Sequence, residues 1–267
     1  MGDLAPSWSE LRARALRLAA PFAFVIPVYN HVRNVRQVAA AAIASGAPVV
    51  VVDDGSTDGA DAALADLAGA TVLRHPQNRG KGAAILTGLQ AVIGPPFAAR
   101  FAVTVDADGQ HCPDDARALL AEVFPAESSV ARVAMVLGAR VGMQGRAVPW
   151  SSRVGRRFSG FWVWASGGPV LSDSQSGFRV YPVAESLALA TRARRFEFEV
   201  EVLVQASRAD IPIVEVPVPV SYAPPGGRIS HFRPWRDFGR NAATFTRLIA
   251  TRLLSRRRLR RLPRSGS

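Results

Sequence analysis

An α/β fold, with a mainly parallel sheet flanked by helices, is predicted by three features of the sequence. Short apolar runs at 22–28, 49–52, 71–74 and 101–105 alternate with helical stretches, the pattern of strands joined by crossovers. Polar and acidic residues repeatedly follow these runs, at the strand ends where open α/β sheets bind ligands. The 267 residues are 48% hydrophobic and 20% charged, with 22 Gly and 19 Pro. That composition suits one elaborated domain with a sizeable core and excludes disorder, collagen and coiled coil.

The elements follow in order. Ser7-Trp8-Ser9-Glu10 is a capping box, and Trp8, Leu11, Ala15 and Leu18 repeat at helical spacing, giving an amphipathic helix within 1–21 that ends near Pro21. Phe22–Val28 reads as a buried strand, and a helix over about 34–45 leads to the strand Val49–Val52. Ser56 or Thr57 is expected to cap the next helix. Thr71–Arg74 is a third strand, 81–93 a helix with Ile85, Leu89 and Val92 on one face, and Phe101–Val105 a fourth strand. The second half is less regular. Val133–Gly138 reads as a strand, and in Ile211–Tyr222 alternating valines are interleaved with Pro217 and Pro219. Two prolines on one backbone side place that strand at a sheet edge. The expected organisation is a helix at 1–21, a catalytic domain at 22–232, and a basic amphipathic helix with a disordered tail at 233–267.

Charge is unevenly placed. Of the net +12, residues 233–267 carry +10, from eleven Arg against Asp237. From Pro234, the residues Trp235, Phe238, Ala242, Phe245, Ile249 and Leu253 share one helical face opposite Arg236, Arg240 and Arg247. A basic helix with aromatic anchors fits an anionic membrane surface, although the same apolar face would also pack on the domain. Phe161, Trp162 and Trp164 are a second candidate for lipid contact. Nucleic acid is not the expected partner, because no helix-turn-helix, RRM or zinc-finger signature accompanies the tail. A single cysteine, Cys112, excludes a disulfide framework, and His31, His75, His111 and His231 show no zinc spacing. The first twenty residues lack a signal-peptide core, and the uncharged stretch 158–172 is too short and too broken by Gly and Pro to span a bilayer. The expected location is cytoplasmic, peripheral on the inner face of the cytoplasmic membrane.

Four segments carry candidate chemistry. In Asp106-Ala107-Asp108-Gly109-Gln110-His111 a strand delivers two carboxylates at i and i+2, and a glycine turns the chain behind them. Hard oxygen ligands suit Mg²⁺ or Mn²⁺, which neutralise a diphosphate. In Asp53-Asp54-Gly55-Ser56 the acids either support a helix N-terminus or hold a ribose or base. Asn78-Arg79-Gly80-Lys81-Gly82 is not a P-loop, yet small residues and a cation at a helix N-terminus suit phosphate. Lys81 is the only lysine in the chain. Pro27-Val28-Tyr29-Asn30 follows the first strand.

In this order, and continued by Asp173-Ser174-Gln175-Ser176-Gly177-Phe178-Arg179, by 196–201 and by Val216-Pro217 through Tyr222, these segments resemble the family 2 glycosyltransferases over residues 22–232. The resemblance is to the branch of dolichyl-phosphate mannose and glucose synthases. It implies a GT-A fold and inverting transfer of a sugar from a UDP- or GDP-linked donor to a polyprenyl phosphate. It implies that Pro27, Tyr29, Asn30 and Asp53 or Asp54 face the nucleotide and that Lys81 joins the substrate site. Asp106, Asp108 and Gln110 would hold Mg²⁺ or Mn²⁺. Arg140, with Arg153 or Arg156, would grip the acceptor phosphate, where a planar guanidinium fork binds bidentately. Asp108, Asp173, Arg140 and Arg179 are the catalytic candidates, although Asp173 would equally serve as a helix cap. His31 stands where the branch often has Glu. A hydroxyl acceptor would instead need a carboxylate base. Glu197, Glu199 and Glu201 would share one face on a strand and spread apart on a helix. A non-catalytic nucleotide-sugar-binding scaffold is the reading from outside enzymes.

Overall fold

The computed structural model describes residues 5–141, 159–220 and 242–253. Arg153, Arg156, Trp235 and Phe238, named above, lie outside the described residues. The elements are α1 (Trp8–Arg17), β1 (Phe22–Val28), α2 (Val32–Ile43), β2 (Val49–Asp53), α3 (Ala60–Leu64), β3 (Ala70–Arg74), α4 (Lys81–Ile93) and β4 (Phe101–Thr104). After a 3₁₀ turn at Pro113–Asp115 come α5 (Ala116–Val123), β5 (Met135–Arg140), β6 (Arg179–Pro182), α7 (Val183–Ala188), α8 (Phe198–Arg208) and β7 (Ile213–Val218). Two further helical stretches are α6, residues 159–165 and preceding β6, and α9, residues 242–253 at the end.

Seven strands form one sheet in the order β3-β2-β1-β4-β6-β5-β7. The β3, β2, β1 and β4 strands are parallel, β6 runs antiparallel to both β4 and β5, and β7 is parallel to β5. The reversal of β6 positions the site. Thr104, at the end of β4, pairs with Arg179, at the start of β6. The loop entering β6 therefore emerges at the same sheet end as the loops leaving β1, β2, β4 and β5.

Every residue of β1 and β2 is buried, as expected for central parallel strands covered on both faces. One face packs under α1, α2 and α5 through Phe22, Phe24, Val35, Leu119 and Phe124. The other packs under α4, α7 and α8 through Val25, Ile85, Leu89, Tyr181 and Leu203. The capping box at Ser7 and Glu10 forms as expected, and Trp8 stacks on Phe22 at 6.3 Å. β7 sits at the sheet edge, pairing only with β5 among the described strands, which agrees with Pro217 and Pro219.

One expectation is corrected, and a choice left open is decided. Neither Ser56 nor Thr57 caps α3, which begins after Gly59 without a side-chain cap. The Ser56 hydroxyl instead accepts a hydrogen bond from Asn30 N at 2.9 Å, joining the loops after β1 and β2. The segment 196–201 is mostly helical, forming the start of α8, so its glutamates point in different directions. The choice left open for the C-terminal helix is also resolved for its described part. Phe245 and Leu248 of α9 are buried against Val163, Val200 and Val204, and Arg247 Nη2 pairs with the buried Glu201 carboxylate at 2.5 Å.

The closeness of α4 to β1 gives a test whose sign opposes helix propensity. A Cβ on Gly88 would lie 2.2 Å from Val25 Cγ1. Gly88→Ala gains up to about 1 kcal/mol of intrinsic helix propensity but overpacks a filled layer at a cost of about 1–3 kcal/mol. Thermal denaturation should therefore show a lower Tm for the variant; an unchanged or higher Tm would contradict this packing.

Candidate active site

The site is built where the strand ends meet α4 and α8. Its central group is Lys81, the first residue of α4. The Lys81 ammonium lies 2.7 Å from Asp106 Oδ1 and 2.8 Å from Glu199 Oε1. Asp106 Oδ2 also accepts from the ammonium at 2.9 Å, so the lysine bridges the two carboxylates. Burial pushes the lysine pKa down, but the two carboxylates outweigh it and hold the pKa above the ordinary value. Burial likewise raises Asp106, and Lys81, His111 and Arg140 together bring it below the usual carboxylate range. Gly177, from the loop before β6, makes this contact possible. A Cβ there would fall 2.4 Å from Asp106 Oδ2 and 2.5 Å from Lys81 Nζ.

The loop that presents Lys81 is held from beneath. Asp54, only 2% exposed, accepts hydrogen bonds from Arg79 N at 2.9 Å and Gly80 N at 2.7 Å. Its Oδ1 also lies 2.6 Å from His75 Nδ1, and His75 Nε2 lies 2.9 Å from Thr87 Oγ1 on α4. Of the two aspartates offered for the nucleotide, Asp54 is thus engaged as a brace for the Asn78–Gly82 loop. Asp53 is different. Its Oδ1 accepts from Ser56 N at 2.8 Å. Its buried Oδ2 has no hydrogen-bond partner, and Arg74 Nε stands 3.4 Å away. This carboxylate borders a cavity of about 280 Å³ lined by Leu64, Leu67, Val72 and Arg74. Pro27 is buried in β1, while Tyr29 and Asn30 are half-buried beyond its end. Asn30 Oδ1 accepts from Thr57 N at 2.8 Å, and its own φ is +54°.

Asp106, Asp108 and Gln110 are half-buried on one short turn, made tight by Gly109 at φ +75°. Asp108 Oδ1 accepts from Gln110 N at 3.0 Å, and Asn34 Nδ2 fixes the Asp108 carbonyl at 2.7 Å. These hard oxygens fit Mg²⁺ or Mn²⁺ in kind. Among the described residues there is no cluster of three or more His, Cys, Asp or Glu side chains able to hold a metal. Asp106, Asp108 and Gln110 would thus be part of a coordination shell completed by donor phosphate and water, as is usual for Mg²⁺.

The acceptor side centres on Arg140, at the end of β5. Its Nε and Nη2 donate to Asp173 Oδ2 and Oδ1 at 2.6 and 2.9 Å, and Asp173 is itself fully buried. Ser172 N and Asp173 N donate to Glu215 on β7 at 2.9 and 3.0 Å. Asp173 therefore orients Arg140, a correction to the direct catalytic role expected for it. Arg179 is corrected more sharply. Its guanidinium is 0% exposed and donates to the carbonyls of Ser176 at 2.6 Å, Glu199 at 2.7 Å and Ser174 at 3.0 Å. A group so enclosed, with its donors committed to carbonyls, ties the loop before β6 to α8. Glu201 accepts from Arg192 N and Ala193 N at 3.0 and 2.7 Å. Sequence reasoning missed His75 and Thr87, which carry no motif, and the role of Gly177, which was legible only as part of a longer segment.

A bidentate arginine set near an Asp-x-Asp turn and a buried lysine, all at one end of this sheet, define a transferase of the GT-A fold. The family model described as glycosyl transferase family 2 matches residues 23–184, and the chain belongs to that family. It is 28% identical over 219 residues to the UDP-N-acetylglucosamine–dolichyl-phosphate N-acetylglucosaminyltransferase of Methanococcus voltae, covering 74% of this chain and 84% of that protein. An uncharacterized protein of Methanocaldococcus jannaschii is 29% identical over 178 residues, or 65% of this chain and 70% of that one. Among solved structures, glucosyl-3-phosphoglycerate synthase from Mycobacterium tuberculosis in complex with UDP superposes with a TM-score of 0.69 at 20% identity, covering 94% of this chain and 87% of that chain. Mannosyl-3-phosphoglycerate synthase from Rubrobacter xylanophilus gives 0.64 at 19% identity, over 98% and 84%. The structural neighbours establish the GT-A fold. Family membership and the transferase relative make the protein a hexosyltransferase, similar to the polyprenyl-phosphate branch.

Two measurements check the geometry. Gly177→Ala should lower turnover by at least about tenfold, roughly 1.4 kcal/mol, with the circular dichroism spectrum retained; a wild-type rate would contradict the Asp106–Lys81–Gly177 contact. His111 is buried and stacked on Phe178 at 5.1 Å, and burial depresses its pKa from 6.5 to about 4. The unfolded chain therefore binds this proton first as pH falls, so stability drops between about pH 6.5 and pH 4 and changes no further below that on its account. His111→Gln should flatten Tm against pH across that window, and an unaltered slope would contradict the assignment.

Proposed function

We propose that the protein moves one sugar, with inversion, from a UDP- or GDP-linked donor to a polyprenyl phosphate, working peripherally at an anionic cytoplasmic membrane surface. The observation that carries this reading is Arg140. It is forked onto a buried Asp173, with its charge close enough to Asp106 to lower that carboxyl's pKa. A guanidinium fixed there suits a phosphate acceptor approaching the donor diphosphate. The 28% identical relative is named for transfer to dolichyl phosphate, which supports the same acceptor class. Neighbouring structures crystallised with phosphoglyceric acid show that the same fold is found with other acceptors.

Mg²⁺ or Mn²⁺ held by Asp106, Asp108 and Gln110 would supply charge neutralisation to the departing diphosphate; a neighbouring structure contains Mn²⁺ with UDP-glucose. Asp53 Oδ2, buried and lacking a hydrogen-bond partner, suits an N–H or hydroxyl of the nucleoside. Lys81 fixes the orientation of Asp106. An acceptor phosphate is anionic at neutral pH, so no general base is required, and alignment with electrostatic stabilisation supplies the acceleration. A hydroxyl acceptor would need a free carboxylate. Of the three glutamates at 197–201, Glu199 is paired with Lys81 and Glu201 with Arg247 and two backbone N–H groups; only Glu197, half-buried before α8, is left uncommitted among them, which supports the phosphate reading.

The test offers purified protein a panel of labelled UDP- and GDP-sugars with Mn²⁺ and undecaprenyl phosphate, and counts label in the organic phase. One donor should transfer. Arg140→Lys, which keeps the charge and loses the fork, should raise the acceptor KM by about 10- to 100-fold, or 1.4–2.8 kcal/mol, with the donor KM unchanged. No transfer from any donor, or an unchanged acceptor KM, would contradict the proposal.

A further inference from the structure

We infer that the exposed aromatic face of α6, and not the apolar face of α9, is the surface that lies on an anionic bilayer; this rests on the membrane-borne acceptor proposed above. Amphipathicity alone pointed to the C-terminal helix. In the structure the inward face of α9 is already covered, with Phe245 and Leu248 buried on α6 and α8. The largest uncovered apolar groups nearby lie on α6 and in the loop that follows it. Phe161 and Trp164 are each 54% exposed and Val170 81%, and at the end of α9 Leu253, 55% exposed, adds to the same kind of surface.

Their arrangement follows from helix geometry. Residues three apart share a face, so Phe161 and Trp164 project together, their ring centroids 6.0 Å apart. Val163 and Trp162 take the opposite side, where Val163 is buried and Trp162 stacks on Phe245 at 6.0 Å. Large aromatics left in water mark an interaction surface, and Trp and Phe beside cations suit the headgroup boundary of a bilayer.

Charge identifies the partner. Neither 159–170 nor 242–253 contains an acidic residue. Arg252 Nη1 donates to Ala165 O at 2.7 Å, and Arg208 Nη2 donates to Ser166 O at 3.0 Å, so two guanidiniums border the end of α6. The sequence that continues from α9, residues 254–267, adds six Arg and no acid. Cations around an aromatic patch match an anionic lipid surface better than a protein of ordinary charge.

The patch is also next to the acceptor side of the site. Ser159, the first described residue of α6, accepts a hydrogen bond from Ser174 Oγ at 2.9 Å. Ser174 follows Asp173, which orients Arg140. A polyprenyl phosphate whose chain stays in the bilayer would thus have its headgroup delivered on the side of the arginine fork.

The test compares the full chain with Phe161→Ser/Trp164→Ser in sedimentation with vesicles of phosphatidylcholine alone or with 30% phosphatidylglycerol added. Wild type should bind the anionic vesicles, and the double variant should bind them at least tenfold more weakly. Trp164→Phe, which keeps an aromatic, should retain binding. Both proteins should glycosylate a short, water-soluble polyprenyl phosphate at equal rates, a readout of the proposed reaction that needs no membrane. Equal vesicle binding by wild type and double variant, no binding by wild type, or equal binding to neutral vesicles would overturn the inference. A shift from dimer to monomer in the variant with vesicle binding unchanged would reassign the patch to self-association and overturn it as well. Absence of transfer to the soluble acceptor by wild type would instead overturn the proposed reaction.

Discussion

The ammonium of Lys81, enclosed between Asp106 and Glu199, is the contact on which the site depends. It joins three elements distant in sequence: the start of α4, the turn after β4 and the first turn of α8. Removing one partner of such a buried pair leaves a charge without compensation, which costs about 3–5 kcal/mol. Much of the surrounding structure holds this contact in place. Asp54 fixes the two N–H groups just before Lys81, and Arg179 ties the Glu199 carbonyl to the loop that contains Gly177.

The fold makes such a junction possible by reversing one strand. With β6 antiparallel between β4 and β5, the Asp106 turn, the loop at 173–178 and the end of β5 converge. The carboxylates then divide by environment. Asp54, Asp173, Glu199 and Glu201 are buried and hold loops or cations, whereas Asp106 and Asp108 remain half-open to a ligand. An aspartate-rich strand end is thus partly scaffold and partly chemistry. What separates the two is the supply of nearby N–H donors and guanidiniums.

Much of the fold was legible in the sequence. β1 and α4 have the limits expected of them, because continuous apolar runs and helical periodicity bounded by Gly or Pro are local signals. The edge position of β7 followed from Pro217 and Pro219, since a missing N–H cannot enter a ladder. Asp106 and Asp108 share one turn, and Arg140 lies close enough to act on the Asp106 carboxyl. Other features needed coordinates. Alternation in 196–201 suits a strand and a helix alike, and tertiary packing chose the helix. His75 reaches Asp54 across two parallel strands, and no spacing rule encodes that pair. Arg179 looked functional because its motif is recognisable, and only burial shows that the motif fastens a loop. The apolar face of α9 was visible as a face, but periodicity does not say whether lipid or protein covers it.

Among the described residues no helix is long and apolar enough to cross a membrane. In the proposed reaction the phosphate headgroup of the acceptor is the main point of recognition. The most direct measurement is a head-to-head comparison of a polyprenyl phosphate and the polyprenol of equal chain length as acceptors, at one saturating donor concentration. A site in which Arg140 holds the acceptor phosphate predicts efficient transfer to the phosphate and none above background to the alcohol. Equal or preferred transfer to the alcohol would contradict the account.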